Sequence, residues 1–327
     1  MSQAYFNVSD VPLSLAVFLA TDTYDHNDDP NTISATSLIK PLRQIILTGR
    51  VPPGDALMDL TQMVASRMGS AVHDGIERAW KTNHIGAMKS LGLPQKVIDR
   101  VLINPANDDL FEDCIPVYLE QRLHRQIGKY TISGKFDFIG DGRVEDFKTT
   151  STYSAMSGSN DEKYQWQGSI YRWLDPKIIT SDQMAIQFLF TDWSNAKAKA
   201  DPKYPQRRFL SRVFDLKSEQ ETEHFISRKL ATIEQYMDTP EEDIPHCSDE
   251  ELWRSDPVFK YYKNPTKTAK STKNFPLYEE AMMRYIEDGS VGLVKQVPGQ
   301  VTACKYCPAF PVCTQKDALI AQGDLIL

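Results

Sequence analysis

In the stretch GKFDFIGDGRVEDFKTTS, residues 134–151, two aspartates and a lysine fall where a tight hairpin would bring them together. Asp141-Gly142 is a preferred dipeptide of the two-residue type I′ turn. With those two residues as the loop, Gly140 pairs with Arg143, and counting outward sets Asp137 opposite Asp146. Opposed residues share a sheet face, with Cβ atoms about 5 Å apart. Alternation adds Lys148 to that face and sends Glu145 and Phe147 to the other. Like charges directly opposite destabilise a strand pair. Either Lys148 alone offsets the acid pair, as on a plain surface hairpin, or the pair holds a cation. Mg²⁺ suits it, because that ion takes one or two carboxylates together with substrate phosphate and water. A metal so held polarises a phosphoryl oxygen and lowers the pKa of bound water, and a nearby lysine can orient that water.

Asp137 followed by Asp146-Phe147-Lys148-Thr149 resembles the signature of PD-(D/E)XK nucleases in its RecB-like form. The resemblance implies metal binding by Asp137 and Asp146, and help to the attacking water from Lys148. SRMGSAVHDGIERAW, residues 66–80, is similar to the family's Gly-x3-His-x3-Glu helix and aligns Gly69, His73 and Glu77 with it. His73 is thereby implied as a third metal ligand, and an imidazole ligand suits Mn²⁺ better than strict Mg²⁺. Gln167 and Tyr171 in YQWQGSIYRWL match the Gln-x3-Tyr motif that positions the DNA strand in this family. Read without the family, the same helix fits an amphipathic element with aromatic core contacts. Glu120 in PVYLEQRL is similar to the acidic residue that precedes the family's active-site hairpin.

Cys304-x2-Cys307-x5-Cys313 has ligand spacing, since a CxxC lets two thiolates reach one metal and a third closes most of the shell. The triplet resembles the C-terminal cysteines of iron–sulfur RecB-like nucleases, CRISPR-associated exonucleases among them. Those relatives carry their fourth cysteine near the N-terminus, where this chain reads SATSLIKPLRQ and has none. Of the remaining two, Cys247 sits in a polar, Pro-flanked loop of the same C-terminal segment. Cys114 opens an apolar strand, where a buried thiol explains itself. Cys247, Cys304, Cys307 and Cys313 are therefore the expected ligands, of a [4Fe–4S] cluster or alternatively of Zn²⁺.

The elements that must position these residues are legible as changes of period. The segment from Ala56 to Trp80 carries a helical apolar stripe, and residues 95–104 read as a further short helix. From 115 the period is two, giving IPVYLEQRLHR, GKYTISGKFDFIG and RVEDFKTTS as strands. NDEKYQWQGSIYRWL reads as a helix capped by Asn160, MAIQFLFTDW as a buried strand, and EQETEHFISRKLATIEQYM as a helix. The expectation is an α/β fold with a restriction-endonuclease-like core, a central mixed sheet flanked by helices. Residues 1–55 form an N-terminal extension, 56–240 the nuclease core, and 241–327 a cysteine-bearing segment packed on it.

The chain of 327 residues has a net charge of −7, which excludes a wholesale basic nucleic-acid binder but not one with local patches. Two lysine-rich runs stand out: NAKAKADPKYPQRRF, expected as a loop, and KYYKNPTKTAKSTKNF, whose Tyr261, Tyr262 and Phe275 could stack on bases. No Lys or Arg precedes Lys40, and the apolar run VPLSLAVFLA is too short to span a bilayer, so a cytoplasmic location and no membrane partner are expected. The expected activity is a metal-dependent DNA exonuclease acting on a single strand or a duplex end in recombination, repair or phage DNA processing. A recombination or single-strand-binding protein is a further expected partner. The other function classes are a structure-specific or restriction-type endonuclease and a non-catalytic DNA-binding module. No GxxxxGK[ST] motif occurs, so the chain carries no helicase motor.

Overall fold

A computed structural model describes residues 5–21, 29, 31–52 and 58–327. The chain forms two compact units, Met1–Ile39 with Leu57–Ala231, and Lys40–Ala56 with Thr232–Leu327.

The first unit is built on a six-stranded mixed sheet. Its order is Phe209–Asp215, Gln183–Phe190, Arg143–Thr150, Phe138–Gly140, Ile115–Leu119, Val101–Ile103. Gln183–Phe190 runs parallel to Arg143–Thr150 and antiparallel to Phe209–Asp215. Helices flank both faces. The face bearing Met184, Ile186 and Phe188 packs with Ile170, Tyr171, Trp173 and Leu174 of the Asp161–Leu174 helix into the main core. Gly168 lets that helix close on the sheet, since a Cβ there would strike the Met184 sulfur. The opposite face places Phe138 and Phe147 against Trp80 of the long Val64–Ser90 helix. Alternation along Arg143–Thr150 therefore serves two helices, one from each side.

Two expected strands are broken. The period-two run beginning at Ile115 stops at Leu119 and resumes as Arg122–Ile127, with Glu120 between them at φ +52°. The next run pairs as Tyr130–Lys135, bends through Phe136 and Asp137, and resumes as Phe138–Gly140. The breaks lie side by side: Glu120 N–H donates to the Asp137 carbonyl, and Phe136 N–H to that of Gln121. The inner halves join the six-stranded sheet. The outer halves form a second sheet with Thr32–Ser34.

Other expectations shift locally. The second half of residues 95–104 is the strand Val101–Ile103, which pairs with Ile115–Leu119, and only Gln95–Ile98 is helical. Asn160 precedes its helix without a side-chain cap bond. TSLIKPLRQIIL is two short helices, Ala35–Leu38 and Leu42–Thr48, separated around Pro41, which cannot continue a helix already begun. Phe209–Asp215, unassigned in the sequence, is an edge strand with alternating exposure.

The second unit carries a three-stranded sheet of order Lys273–Phe275, Val258–Tyr262, Leu293–Val297, covered by the Tyr278–Glu287 helix. The cysteine triplet follows, and then the helix Thr314–Gln322. Among the described residues, no helix is long and apolar enough to cross a membrane.

The Asp141-Gly142 turn has both residues at positive φ, +48° and +77°, as type I′ requires. Replacing Gly142 by Ala strains the left-handed backbone by about 1–2 kcal/mol and presses a methyl on Thr180. Urea unfolding of Gly142→Ala should show a lowered midpoint with an unchanged slope. An unchanged midpoint would mean that this hairpin does not set the register of its strands.

Candidate active site

The hairpin pairs in the expected register, Gly140 with Arg143 and Phe138 with Glu145. The rung that would set Asp137 against Asp146 is not formed. Asp137 instead sits in the bend, and its Oδ2 accepts a hydrogen bond from Phe147 N–H at 3.0 Å. The carbonyl of the same Phe147 faces His73 Nε2 at 2.9 Å. A carbonyl can only accept, so Nε2 carries the proton and Nδ1 is turned inward. There Nδ1 lies 3.3 Å from Asp137 Oδ1 and 3.8 Å from Glu120 Oε1. Glu120 is also gripped by Lys135, 2.7 Å from its Oε2.

His73, Glu120 and Asp137 each offer a ligand atom, all within 4.8 Å of one another. Oxygen donors joined by one imidazole fit a divalent ion such as Mn²⁺ or Mg²⁺. The bond fixing the far ring nitrogen is what orients a ligating histidine. Burial alone would lower the His73 pKa, but the Asp137 and Glu120 carboxylates raise it from 6.5 to about 10. A proton thus occupies the position a cation would take.

Asp146 was the expected partner of Asp137 in binding metal, and the structure sets it deeper. It is buried, with Oδ1 accepting from Gln167 Nε2 at 2.9 Å. The Lys148 ammonium lies 2.5 Å from Oδ2 but approaches it without hydrogen-bond alignment. Burial pushes the Asp146 carboxyl above the usual range while Lys148 pulls it down. Lys148 is held protonated by Asp146 and Asp137 against its own desolvation. Charge crowding reaches beyond the trio, since Asp137 and His73 both act on Asp146.

Gln167 and Tyr171 are largely buried, yet both line the cleft. Gln167 also donates to Tyr171 Oη at 3.0 Å, and Tyr171 donates to the Lys135 carbonyl at 2.9 Å. Their contacts hold Asp146 to the helix and the helix to the strand. Glu77 pairs with Lys81 on the outside of its helix, and the cleft lining does not include it. The cleft itself is about 600 Å³, lined by His73, Asp137, Asp146 and Lys148 together with Arg122 and Ser133.

The second unit gathers the four expected thiols. Cys304 lies in an apolar cluster with Leu252, Val301, Leu319 and Leu325, against which Cys247 packs. Burial pushes the Cys247 thiol up to about 12, with Glu251 and the other three thiols adding to it. Cys304 rises to about 11 from burial and from Cys307 and Cys313. The thiols lie close enough to hinder one another's ionisation, but among the described residues no three of their sulfurs come within 4.8 Å of one another, wider than a tetrahedral zinc site requires and compatible only with a larger cluster. Buried Arg43 donates from Nε to Cys313 Sγ at 3.3 Å and from Nη1 to the Ile244 carbonyl at 2.7 Å, and it pairs with Glu241. Gln315 bonds both N–H and carbonyl of Cys247, at 2.9 and 3.0 Å. The stretch where a relative's cysteine was sought thus contributes Arg43 to this site. Cys114 belongs to the first unit.

No family model matches the chain, and no curated protein does. Among solved structures, SSO0001 is similar over 66% of this chain and 81% of its own, at 16% identity and a TM-score of 0.39. A phage-related exonuclease from Haemophilus somnus 129PT is similar over 63% of this chain and 93% of its own, at 14% identity and a TM-score of 0.28. The chemistry of the cleft therefore rests on its own side chains.

Sequence reasoning missed Lys135 and Arg122, cross-strand partners that bring two cations to the cleft. Lys135 could have been found, because it precedes Asp137 by two residues. Arg43 and Gln315 carry no local signal. The stacking residues expected in the second lysine run are core: Tyr261, Tyr262 and Phe275 are all buried, and only the lysines around them face outward.

The His73 geometry predicts a proton that a metal displaces. Its folded pKa of about 10 lies above the ordinary 6.5. Its contribution to stability is therefore full below about pH 6.5 and lost as pH rises toward 10. In chain freed of divalent ions, NMR should find His73 as imidazolium at about pH 8, and Mg²⁺ should convert it to the neutral ring. A neutral His73 before any metal is added would contradict the arrangement.

Proposed function

We propose that the cleft is the active site of a metal-dependent deoxyribonuclease of the RecB-like PD-(D/E)XK kind, acting as an exonuclease in DNA recombination, repair or phage DNA processing. The observation that carries the reading is the trio His73, Glu120 and Asp137 in ligand range, beside the buried Asp146–Lys148 pair. A divalent ion held by the trio, with Asp146 next to it, supplies polarisation of a phosphoryl oxygen and acidification of water.

The remaining work falls to the chain's own groups. Phe147 fixes Asp137 and His73 through its two backbone polar groups, so both ligands arrive pre-oriented. Gln167 keeps one Asp146 oxygen occupied, which leaves Oδ2 for Lys148 and the reacting centre. Lys148, held protonated, orients the attacking water and stabilises charge that develops on phosphate. Lys135 and Arg122 offer positive charge for the scissile strand on the same cleft.

End-labelled linear DNA, single- and double-stranded, is the substrate to digest with Mg²⁺ or Mn²⁺ beside a covalently closed circle. Wild type should shorten the linear DNA and spare the circle, and Asp146→Ala or Lys148→Ala should lose at least 100-fold in rate. Nicking of the circle would make the protein an endonuclease. A folded, metal-replete chain that cuts nothing would reduce the cleft to part of a DNA-binding module.

The thiol site is proposed to hold a [4Fe–4S] cluster through Cys247, Cys304, Cys307 and Cys313, in a reducing cytoplasm that keeps the thiols free. Zn²⁺, which would need the sulfurs drawn closer together, is the alternative. Anaerobically purified chain should contain iron and sulfide, and Cys247→Ser should lose them while Cys114→Ser keeps them. Stoichiometric zinc without sulfide would select the alternative. Equal metal retention in both variants would remove Cys247 from the ligand set.

A further inference from the structure

Trp253 is a bulky residue in the left-handed backbone region, at φ +51°, yet its side chain is 46% exposed. Such a conformation is strained for any residue with a side chain and persists only where neighbours over-determine it. Here they do. Trp253 N–H donates to Glu250, and its carbonyl accepts from Thr302 Oγ1. Next to it, Arg254 is tied to Asp249, Asp324 and the Gly299 carbonyl. The strain presents an indole at the surface beside Tyr306, itself 75% exposed, with ring centroids 6.3 Å apart. Neither the cleft chemistry nor the thiol site uses these two rings.

The pair stands at one end of an antiparallel ribbon. Beyond the Trp253–Thr302 contact, Ser255 N–H donates to the Gln300 carbonyl and Gln300 N–H to Ser255 Oγ. Val258 then pairs with Val297, and Lys260 with Lys295. The seven steps from Trp253 to Lys260 span at most about 24 Å. Lys260 and Lys295 oppose each other directly, a repulsive pairing. They occupy the sheet face away from the Tyr278–Glu287 helix, because Phe259, Tyr261 and Val294 fill the helix side. Lys263, Lys267 and Lys270 follow in the next loop, and none of these five lysines pairs with an acid among the described residues.

Stacking platforms beside a row of unpaired lysines are what a flexible polyanion with exposed π-faces requires. We propose that this ribbon of the second unit binds single-stranded nucleic acid, with bases stacking on Trp253 and Tyr306 and phosphates on Lys260, Lys295 and the loop lysines Lys263, Lys267 and Lys270. Buried Tyr261 and Tyr262 take no part. Unpaired bases are specified, because a duplex hides the faces the rings would meet. The proposal does not rest on the nuclease reading.

Anisotropy of a labelled oligothymidine and of a duplex of equal length, on full-length chain in EDTA across a salt series, tests it without cleavage. Wild type should prefer the single strand. Trp253→Asn removes the ring but tolerates the backbone, and should weaken single-strand binding roughly ten-fold or more with little effect on the salt slope. The Lys263→Ala, Lys267→Ala, Lys270→Ala triple variant should flatten the log–log salt slope by about 2. Tyr306→Ser serves if Trp253→Asn melts early by circular dichroism. Unchanged affinity in both ring variants, or an unchanged slope in the lysine variant, overturns the proposal. Binding without any cleavage when Mg²⁺ is restored leaves it standing and sinks only the nuclease reading.

Discussion

The peptide of Phe147 is the constraint on which the cleft depends. Its N–H fixes one acid, Asp137, and its C=O fixes the histidine that faces that acid. Neither residue could hold this geometry through side-chain packing alone, because each is only partly buried. Since Phe147 lies between Asp146 and Lys148, the strand that fixes the trio also fixes the buried pair. Alternation sends the Phe147 ring to the opposite face, where it packs with Phe138 and Val117. One strand thus ties the apolar core on one side to the charged groups at its own end.

That geometry carries an electrostatic cost. Three carboxylates, Glu120, Asp137 and Asp146, stand close together, and the chain meets them with three cations: Lys135, His73 and Lys148. Without a metal, His73 must be protonated for the balance to hold, which is the physical meaning of its raised pKa. A divalent ion held by the trio would displace the imidazolium's proton and leave the charge count near neutral. The thiol site poses the same problem with weaker acids, whose protons are retained because burial and mutual repulsion disfavour thiolate. Arg43 brings a fixed positive charge there, paired with Glu241, and can donate to a thiolate when one forms.

What the sequence revealed and what it hid divide along a physical line. The hairpin was legible because Asp141-Gly142 determines a turn, and a turn determines register over the next few residues. The helix carrying His73 was legible from its apolar stripe. The breaks at Glu120 and Asp137 were not, because each is stabilised by the other across the sheet, and nothing within either strand signals an interruption. Glu120 was singled out only by its likeness to a family residue; the left-handed backbone that turns it into the trio carried no local signal. Tyr261 and Tyr262 misled in the opposite direction: aromatics between lysines suit a stacking surface, but the Tyr278–Glu287 helix covers one face of that strand, and Tyr262 is buried as well. Whether an aromatic is platform or core depends on what lies over it, which is a tertiary fact.

A net charge of −7 and a nucleic-acid substrate are compatible because of range. Screening confines each exposed charge to about 8–10 Å in physiological salt. A polyanion therefore responds to the lysines it touches and only weakly to the total. Lys260 and Lys295 share one face of a small sheet, while Glu279, Glu280 and Glu287 sit on the helix covering its other face. The cleft works the other way, keeping its negative groups recessed and its lysines more exposed, Lys148 and Lys135 at 32% and 41% against 4% for Asp146. A phosphate approaching the cleft would meet cations first and carboxylates only where a cation stands between them.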